Sequence, residues 1–284
     1  MKIGVVGLGL MGGSFVKAIK AYGRDEVCGF DKNPEVLEKA LEDRSIDGIL
    51  TKEKIPQCDL VVLALMPGIA IDFVKENGDL IKGILLDFCG VKRKVEEQIL
   101  PTALKKRFSY IGGHPMAGRE VGGYENSTKN LFQGASMILV ENETSLGEGK
   151  KLEEFFYKLG FEQIKYSDSL SHDRLLAYTS QLAHVVSNSF VQSPTHEDEY
   201  GYSADSLKDL TRVATLDVDM WTELFFDNRD FLYDEVMRIS DHLRKYADAI
   251  RYEDRDTLKK ILRDGCNAKR IMEERRKNND ESSN

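Results

Sequence analysis

Near the amino terminus, Lys2 to Val6 is a short β-branched apolar run. The glycine cluster Gly7-Leu8-Gly9-Leu10-Met11-Gly12-Gly13-Ser14 follows, and then apolar positions at helical spacing to about Ala21. The pattern predicts strand, tight turn and helix. A second apolar stretch, Glu26 to Phe30, ends in Asp31, and Pro34 opens an amphipathic helix. Asp59 to Leu65 (DLVVLAL) is apolar without alternation, as a strand buried on both faces requires, and it closes at Met66-Pro67. Further strands are expected at Ile84 to Asp87, Ser109 to Ile111, Ser136 to Val140 and Glu162 to Tyr166. The spacing of Leu152, Phe155, Phe156 and Leu159 predicts a helix over Glu148 to Leu159. Strands alternating with helices imply an α/β fold with a doubly wound, mostly parallel sheet.

Beyond Ser167 the period changes. From Ser169 to Lys277 the patterns are helical, broken at Ser193-Pro194-Thr195 and near Gly201 to Ser206, so the second domain is expected to be all-α. This gives two domains, 1–167 and 168–284, with a charged tail from about Glu273 expected to fray.

Composition narrows the function classes. With 41% hydrophobic and 31% charged residues, the chain has the make-up of a globular protein, not a disordered or fibrous one. A net charge of −8 argues against a nucleic-acid partner, because no global field draws in a polyanion. An anionic small molecule stays open, provided a local arginine or helix N-terminus receives it. The cysteines Cys28, Cys58, Cys89 and Cys266 make no CxxC pair and the histidines are scattered, so no metal site is expected and free thiols in a reducing cytosol are. No apolar stretch approaches the ~18 residues that a membrane span needs, and the expected location is cytoplasmic.

The chemistry begins at the glycine cluster. Gly7-x-Gly9-x-x-Gly12 follows a strand and opens a helix, the context in which it binds a dinucleotide. The first glycine permits the turn, the second lets backbone N–H groups approach a pyrophosphate, and the third lets helix and strand pack closely. Gly7, Leu8, Gly9, Leu10, Met11 and Gly12 are therefore candidate cofactor residues. Leu65 and Met66, where the buried strand ends, join them. Asp31 closes the second strand, where a carboxylate accepts ribose hydroxyls and repels a 2′-phosphate, which favours NAD over NADP; adjacent Lys32 leaves a phosphate contact open. His114, in Gly112-Gly113-His114-Pro115-Met116-Ala117-Gly118, is expected just after a short strand, at the carboxyl edge of the sheet. An imidazole there takes a proton near neutral pH, although on position alone a lone histidine is more often a hydrogen-bonded structural residue.

Three blocks together, GLGLMGGS, GGHPMAG and Asp209-Leu210-Thr211-Arg212-Val213-Ala214 followed by Met220-Trp221, resemble the prephenate/arogenate dehydrogenase family of tyrosine biosynthesis, in order along nearly the whole chain. The resemblance implies a Rossmann-type domain followed by a helical one that forms a homodimer. It also implies NAD-dependent oxidative decarboxylation of prephenate to 4-hydroxyphenylpyruvate, with arogenate as the alternative substrate. His114 matches the histidine that acts as base on the ring hydroxyl. Arg212 matches the arginine that binds the ring carboxylate; by itself it would be read as a surface or ion-pair residue. Ser180-Gln181-Leu182-Ala183-His184 resembles the family's S-H-L-P-H helix, which makes His184 a candidate for the side-chain carboxylate. Trp221 matches the tryptophan of the MW block and is a candidate pocket residue, with a plain core role equally open.

The pair His172-Asp173 also matches the family, but Asp173 is explained by its place in the first turn of a helix. One departure touches the chemistry: Asp87-Phe88-Cys89-Gly90-Val91-Lys92 aligns with a D-x-G-S-V-K block, so Gly90 stands where a serine is expected near the substrate hydroxyl. That hydrogen bond is dispensable or supplied otherwise. Cys89 is not expected to be a nucleophile, and Lys92 serves as a nearby charge or a loop cap. Two other readings are a β-hydroxyacid dehydrogenase, to which the His114 and Arg212 blocks are foreign, and a dinucleotide sensor without activity, supported by Gly90 alone. The glycine motif at residue 7 and the helical residues after Ser167 leave no expected room for a fused mutase or regulatory domain.

Overall fold

A computed structural model describes residues 1–119, 121–202 and 204–282. The first strand, β1 (Lys2–Val6), leads through the glycine turn into helix α1 (Leu10–Tyr22). Then come β2 (Glu26–Phe30), α2 (Pro34–Glu42), the two-residue β3 (Gly48–Ile49), β4 (Leu60–Leu63), α3 (Pro67–Asn77), β5 (Ile84–Asp87) and α4 (Arg93–Lys106). The sheet is completed by β6 (Ser109–Pro115), β7 (Ser136–Val140), α5 (Glu148–Lys158) and β8 (Gln163–Ser167). The eight strands lie in the order β3-β2-β1-β4-β5-β6-β7-β8. All neighbours are parallel except β6 and β7, which are antiparallel. The order reverses at β1, and there the carboxyl ends of β1, β4, β5 and β6 share one edge, where such sheets bind ligands.

Burial follows from the sequence pattern. On β4, Leu60 and Val62 join one core cluster with Ile3, Val5, Phe15 and Leu86, while Val61 and Leu63 join another with Val6, Leu85, Ile71 and Val74. A strand covered on both faces has no polar side to alternate, which is why DLVVLAL is a continuous apolar run. The helices α1 and α2 are set by local signals. Asn33 accepts the Glu35 N–H at 3.0 Å as the N-cap of α2, with Pro34 in the first turn.

After the sheet the elements are α6 (Ser169–Leu176), a π-helical turn Ala177–Gln181, α7 (Leu182–Phe190), α8 (Asp205–Thr211), α9 (Val218–Asp227), α10 (Arg229–Arg251) and α11 (Arg255–Ser282). The all-α expectation holds among the described residues after Ser167. The chain separates into two compact units, Met1–Leu232 and Tyr233–Asn284. The change from sheet to helices at Ser167 therefore falls inside the first unit, because α6 and α9 are tied to the sheet domain by the polar contacts described below.

The structure differs from expectation at several elements. β6 runs on to Pro115, so His114 lies within a strand, paired with Ile138 of β7, instead of just beyond one. The two-residue β3 is too short to carry a periodic signal. The stretch expected to fray from Glu273 is helical to Ser282, with ion pairs Lys269–Glu273 at 3.1 Å and Arg270–Glu274 at 2.8 Å one turn apart on α11. The last two residues lie outside the described ones.

Candidate active site

The glycine turn is shaped by three different constraints. Gly7 has φ +87°, in the left-handed region, and a Cβ there would stand 2.5 Å from the Ala64 carbonyl oxygen. At Gly12 a Cβ would stand 1.8 Å from the Gly7 carbonyl oxygen, so α1 packs against the turn only without a side chain. At Gly9, by contrast, a Cβ would meet nothing within 4 Å. Gly9 is the N-cap of α1 and has no capping side chain, and the first turn of α1 holds no acidic residue. The N–H groups at the start of the helix thus meet no capping side chain at Gly9, and the helix dipole there favours an anion. Leu10 and Met11, both partly buried, open the helix, and Met11 packs on the core.

Asp31 is held beside this turn. Its Oδ2 accepts the Leu8 N–H at 2.8 Å and its Oδ1 the Asn33 N–H at 2.9 Å. Each carboxylate oxygen retains accepting capacity, and the partly exposed side chain can take up ribose hydroxyls. Leu65 packs at the turn, its Cδ2 2.8 Å from where a Gly7 Cβ would stand, and Met66 is the N-cap of α3. Open space at Gly9, uncapped N–H groups and a fixed carboxylate at the second strand fit a dinucleotide.

At the carboxyl end of β5 and β6 a second group assembles around His114. The His114 Nδ1 lies 2.9 Å from the His172 Nε2, and the His172 Nδ1 lies 2.8 Å from the Asp173 Oδ1. Asp173 is fully buried and accepts three more bonds: the Lys92 N–H at 2.8 Å, the Arg93 N–H at 3.0 Å and the Arg93 Nε–H at 3.3 Å. Arg93 also donates to Asp230 and, at 3.0 Å, to the Asn228 Oδ1. Asn228 in turn donates to the Asp173 carbonyl at 2.8 Å and to the Gln181 Oε1 at 2.7 Å. Beneath His114, the buried Lys92 ammonium donates to Asp87 and to the Gly113 carbonyl, while the Tyr110 hydroxyl donates to Asp87 at 2.9 Å.

Electrostatics follow from this packing. Burial, together with the His172 ring and the Lys92 ammonium, pushes the His114 imidazole well below the usual histidine range. His172 is lowered as well, since burial outweighs the opposing pull of Asp173. For Asp173, burial works to raise the carboxyl, but the bonds from His172 and from the Arg93 and Lys92 N–H groups prevail and lower it. The group is thus a carboxylate beside two neutral imidazoles. Burial pushes the Cys89 thiol far up, which leaves it inert as a nucleophile.

The third group stands on the helices after the sheet. The His184 Nδ1 lies 3.0 Å from the Val213 carbonyl oxygen, and its ring is 3.9 Å, centroid to centroid, from that of Trp221. Asn188 donates to the Ala214 carbonyl at 3.1 Å. These contacts bring α7, α9 and the Thr211 to Ala214 turn together, with the exposed Arg212 at the C-cap of α8. Helix α9 connects this group to the second: one turn beyond Trp221, the Leu224 carbonyl accepts the Gln181 Nε2–H at 3.1 Å, and its side chain lies against Gly90. Glu223, between them, accepts the Gly68 N–H at 2.7 Å at the start of α3.

Several of these partners were not apparent in the sequence. Asp173 does not cap its own helix: Asp168 does, accepting the Ser171 N–H at 2.8 Å, while Asp173 turns inward to Lys92 and Arg93. Lys92 is an internal cation, not a loop cap. Arg93 and Asn228 had no signal beyond being polar residues in ordinary places, and Asp87 had only its place at the head of the block around Gly90. Among the described residues, no group of three or more His, Cys, Asp or Glu side chains could hold a metal ion, and no helix is long and apolar enough to cross a membrane.

Comparison with known proteins agrees with this architecture. Residues 15–164 match the family described as prephenate dehydrogenase, nucleotide-binding domain, and residues 168–264 match prephenate dehydrogenase, dimerization domain. The prephenate dehydrogenase of Lactococcus lactis subsp. cremoris (strain MG1363) is 27% identical over 283 residues, covering 96% of this chain and 77% of that protein. That of Bacillus subtilis (strain 168) is 26% identical over 264 residues, covering 86% and 69%. A crystal structure of prephenate dehydrogenase from A. aeolicus in complex with hydroxyphenyl propionate and NAD+ superposes with a TM-score of 0.83 at 27% identity, covering 96% of this chain and 98% of that one. The glycine turn at the sheet's reversal point, the histidine at its carboxyl edge and the match over both domains have one common explanation: this chain belongs to the prephenate dehydrogenase family.

Proposed function

We propose that the protein is a NAD-dependent dehydrogenase that converts prephenate to 4-hydroxyphenylpyruvate and carbon dioxide, a step of tyrosine biosynthesis. The observation that carries this reading is His114: a neutral imidazole at the carboxyl edge of the sheet, one strand end from the loop after β5 and on the same edge as the dinucleotide turn. NAD, when bound, supplies the hydride acceptor. The chain's own residues do the remaining work. The turn Gly7 to Gly12 with Leu65 and Met66 holds the dinucleotide, and Asp31 selects the unphosphorylated ribose.

His114 takes the proton of the ring hydroxyl as the carbon that bears it loses hydride, so that a carbonyl develops there. The ring carboxylate then leaves as carbon dioxide, its bonding pair passes into the ring, and aromatisation makes the step irreversible. Arg212 presents a planar guanidinium to that carboxylate, and His184, its ring packed at a tilt against Trp221, faces the side-chain end. A basic surface is unnecessary, since a dicarboxylate needs its cations at one cleft.

The organisation proposed from sequence, 1–167 for the dinucleotide and 168–284 for substrate and dimer, is supported by the two family matches. A homodimer through the helical part is supported by the description of the second match and by exposed apolar side chains on α10 and α11, among them Leu243, Ile250 and Leu262. The cytoplasm is the compartment that suits its cofactor and free cysteines. The test is NADH or NADPH formation with prephenate and with arogenate, each with NAD and with NADP. Prephenate with NAD should have the highest kcat/KM; a higher value with arogenate, or no turnover with either substrate, refutes the reading.

A further inference from the structure

We propose that His172 is a positioning residue for this reaction: held by Asp173, it fixes His114 in the tautomer whose Nε2 is free to receive the substrate proton. The inference rests on His114 being the base. Its starting point is the chain of contacts Asp173 Oδ1, His172 Nδ1, His172 Nε2, His114 Nδ1, at 2.8 and 2.9 Å. A carboxylate only accepts hydrogen bonds, so the His172 Nδ1 carries a proton. A neutral His172 then has an unprotonated Nε2, and the contact with His114 exists only if the His114 Nδ1–H donates. A neutral His114 with its proton on Nδ1 has its lone pair on Nε2. Each protonation site in the chain is thus dictated by the one before it, and the first is dictated by the carboxylate.

The carboxylate is itself immobilised. Lys92 N–H, Arg93 N–H and Arg93 Nε–H bind it from the start of α4, and Asn228 holds the backbone carbonyl of the same residue. The charged groups around the two imidazoles are Asp173 on α6, Lys92 and Arg93 at the start of α4, and Asp87 at the end of β5. Lys92 opposes a positive charge on His114; Asp173, through His172, favours it. When His114 takes the substrate proton, its Nδ1–H bond to His172 becomes charge-assisted, while Asp173 remains a carboxylate. This division also accounts for Gly90. A Cβ there would lie 3.2 Å and 3.4 Å from the two methyls of Leu224, so the space of the expected serine is filled by an apolar side chain. The polar contact to the base comes from α6 instead.

The experiment compares His114→Asn, His172→Leu and His172→Gln, and reads the imidazole nitrogens of the ligand-free parent by 15N NMR. The parent should show His114 protonated on Nδ1 and unprotonated on Nε2. His172→Leu should lower kcat about 100-fold, within the range of a general base, with NADH binding and the KM for NAD unchanged. Its acid limb should also shift, because one of the groups that sets the His114 titration is gone. His172→Gln offers an amide oxygen to His114 and an amide N–H to Asp173, and should recover about tenfold of that loss. If His172→Leu keeps kcat within about threefold while His114→Asn abolishes turnover, the inference falls and His114 stands as the base. Turnover by His114→Asn overturns both. Should the His172 variants fail to bind NADH, the NMR spectrum decides, since a proton on the parent's His114 Nε2 is incompatible with the inference.

Discussion

Replacing Lys92 with Met removes a cation from the interior and leaves its partner behind. The side chains of Lys92 and Asp87 are 1% and 0% exposed, so solvent cannot stand in for the ammonium. Asp87 would keep the Cys89 N–H at 2.8 Å and the Tyr110 hydroxyl at 2.9 Å, and Gly113 would lose the donor to its carbonyl. Stranding one member of a buried ion pair costs about 3–5 kcal/mol, well beyond what a surface pair is worth. For a unit the size of Met1–Leu232, each kcal/mol lowers the melting temperature by roughly 2–4 °C, so Lys92→Met should melt about 6–20 °C below the parent. Thermal unfolding followed by circular dichroism measures this directly. Asp87→Asn in the Lys92→Met background removes the stranded charge, and the double variant should be more stable than Lys92→Met. Because Lys92 also holds the carbonyl beside His114 and helps keep that imidazole neutral, the acid limb of kcat/KM should move to higher pH. A Lys92→Met protein melting within about 2 °C of the parent, or a double variant no better than the single, would refute the reasoning.

Other outcomes follow from the same geometry. His114 and His172 are held below their ordinary value of 6.5, so kcat/KM should stay level to a lower pH than a free histidine would allow and then fall. Their effect on stability has the matching sign: below about pH 6.5 the unfolded chain binds protons at these rings that the folded one does not, so acid should lower the melting temperature from there. A kcat/KM that already falls at the pH of a free histidine, or a melting temperature unchanged by acid below about pH 6.5, contradicts the assignment. Gly12→Ala would place a methyl 1.8 Å from the Gly7 carbonyl oxygen, and should weaken NADH binding about tenfold or more along with thermal stability. Fluorescence titration with NADH checks it, and parent-like binding would show that the turn is looser than described. Arg212→Ala should raise the KM for prephenate by about 100-fold with little change in the KM for NAD; equal effects on both would remove Arg212 from the substrate site.

How much of the site was legible in the sequence depends on how local its cause is. The glycine turn was legible because each glycine answers a backbone constraint within a few residues of itself, or against the neighbouring strand that the apolar runs already announce. His114 was legible as a residue at the sheet's edge, and its position inside β6 was missed because the pairing that extends the strand comes from β7, more than twenty residues on. Asp173 shows the opposite case. As an acid near a helix start it had a sufficient local explanation, and that explanation was incorrect because the N–H groups it satisfies belong to Lys92 and Arg93, 81 and 80 positions away. Gly90 was an unexplained gap in a motif until Leu224 of α9 was seen to fill it.

The sequence by itself determined most of the elements, the mostly parallel sheet and the dinucleotide turn, because hydrophobic period and glycine conformation act over a few residues at a time. It also determined the family, through blocks that keep their order along the chain. Only the tertiary structure decided what each buried polar group faces. A buried carboxylate, ammonium or imidazole must find partners, and the sequence requires that they exist without naming them. The fold brought Asp173, His172 and His114 into line from α6 and β6, and Lys92 under the same histidine from the loop after β5. A proton's place on an imidazole is set by the hydrogen bond at its other nitrogen, and that bond is formed between residues 58 positions apart.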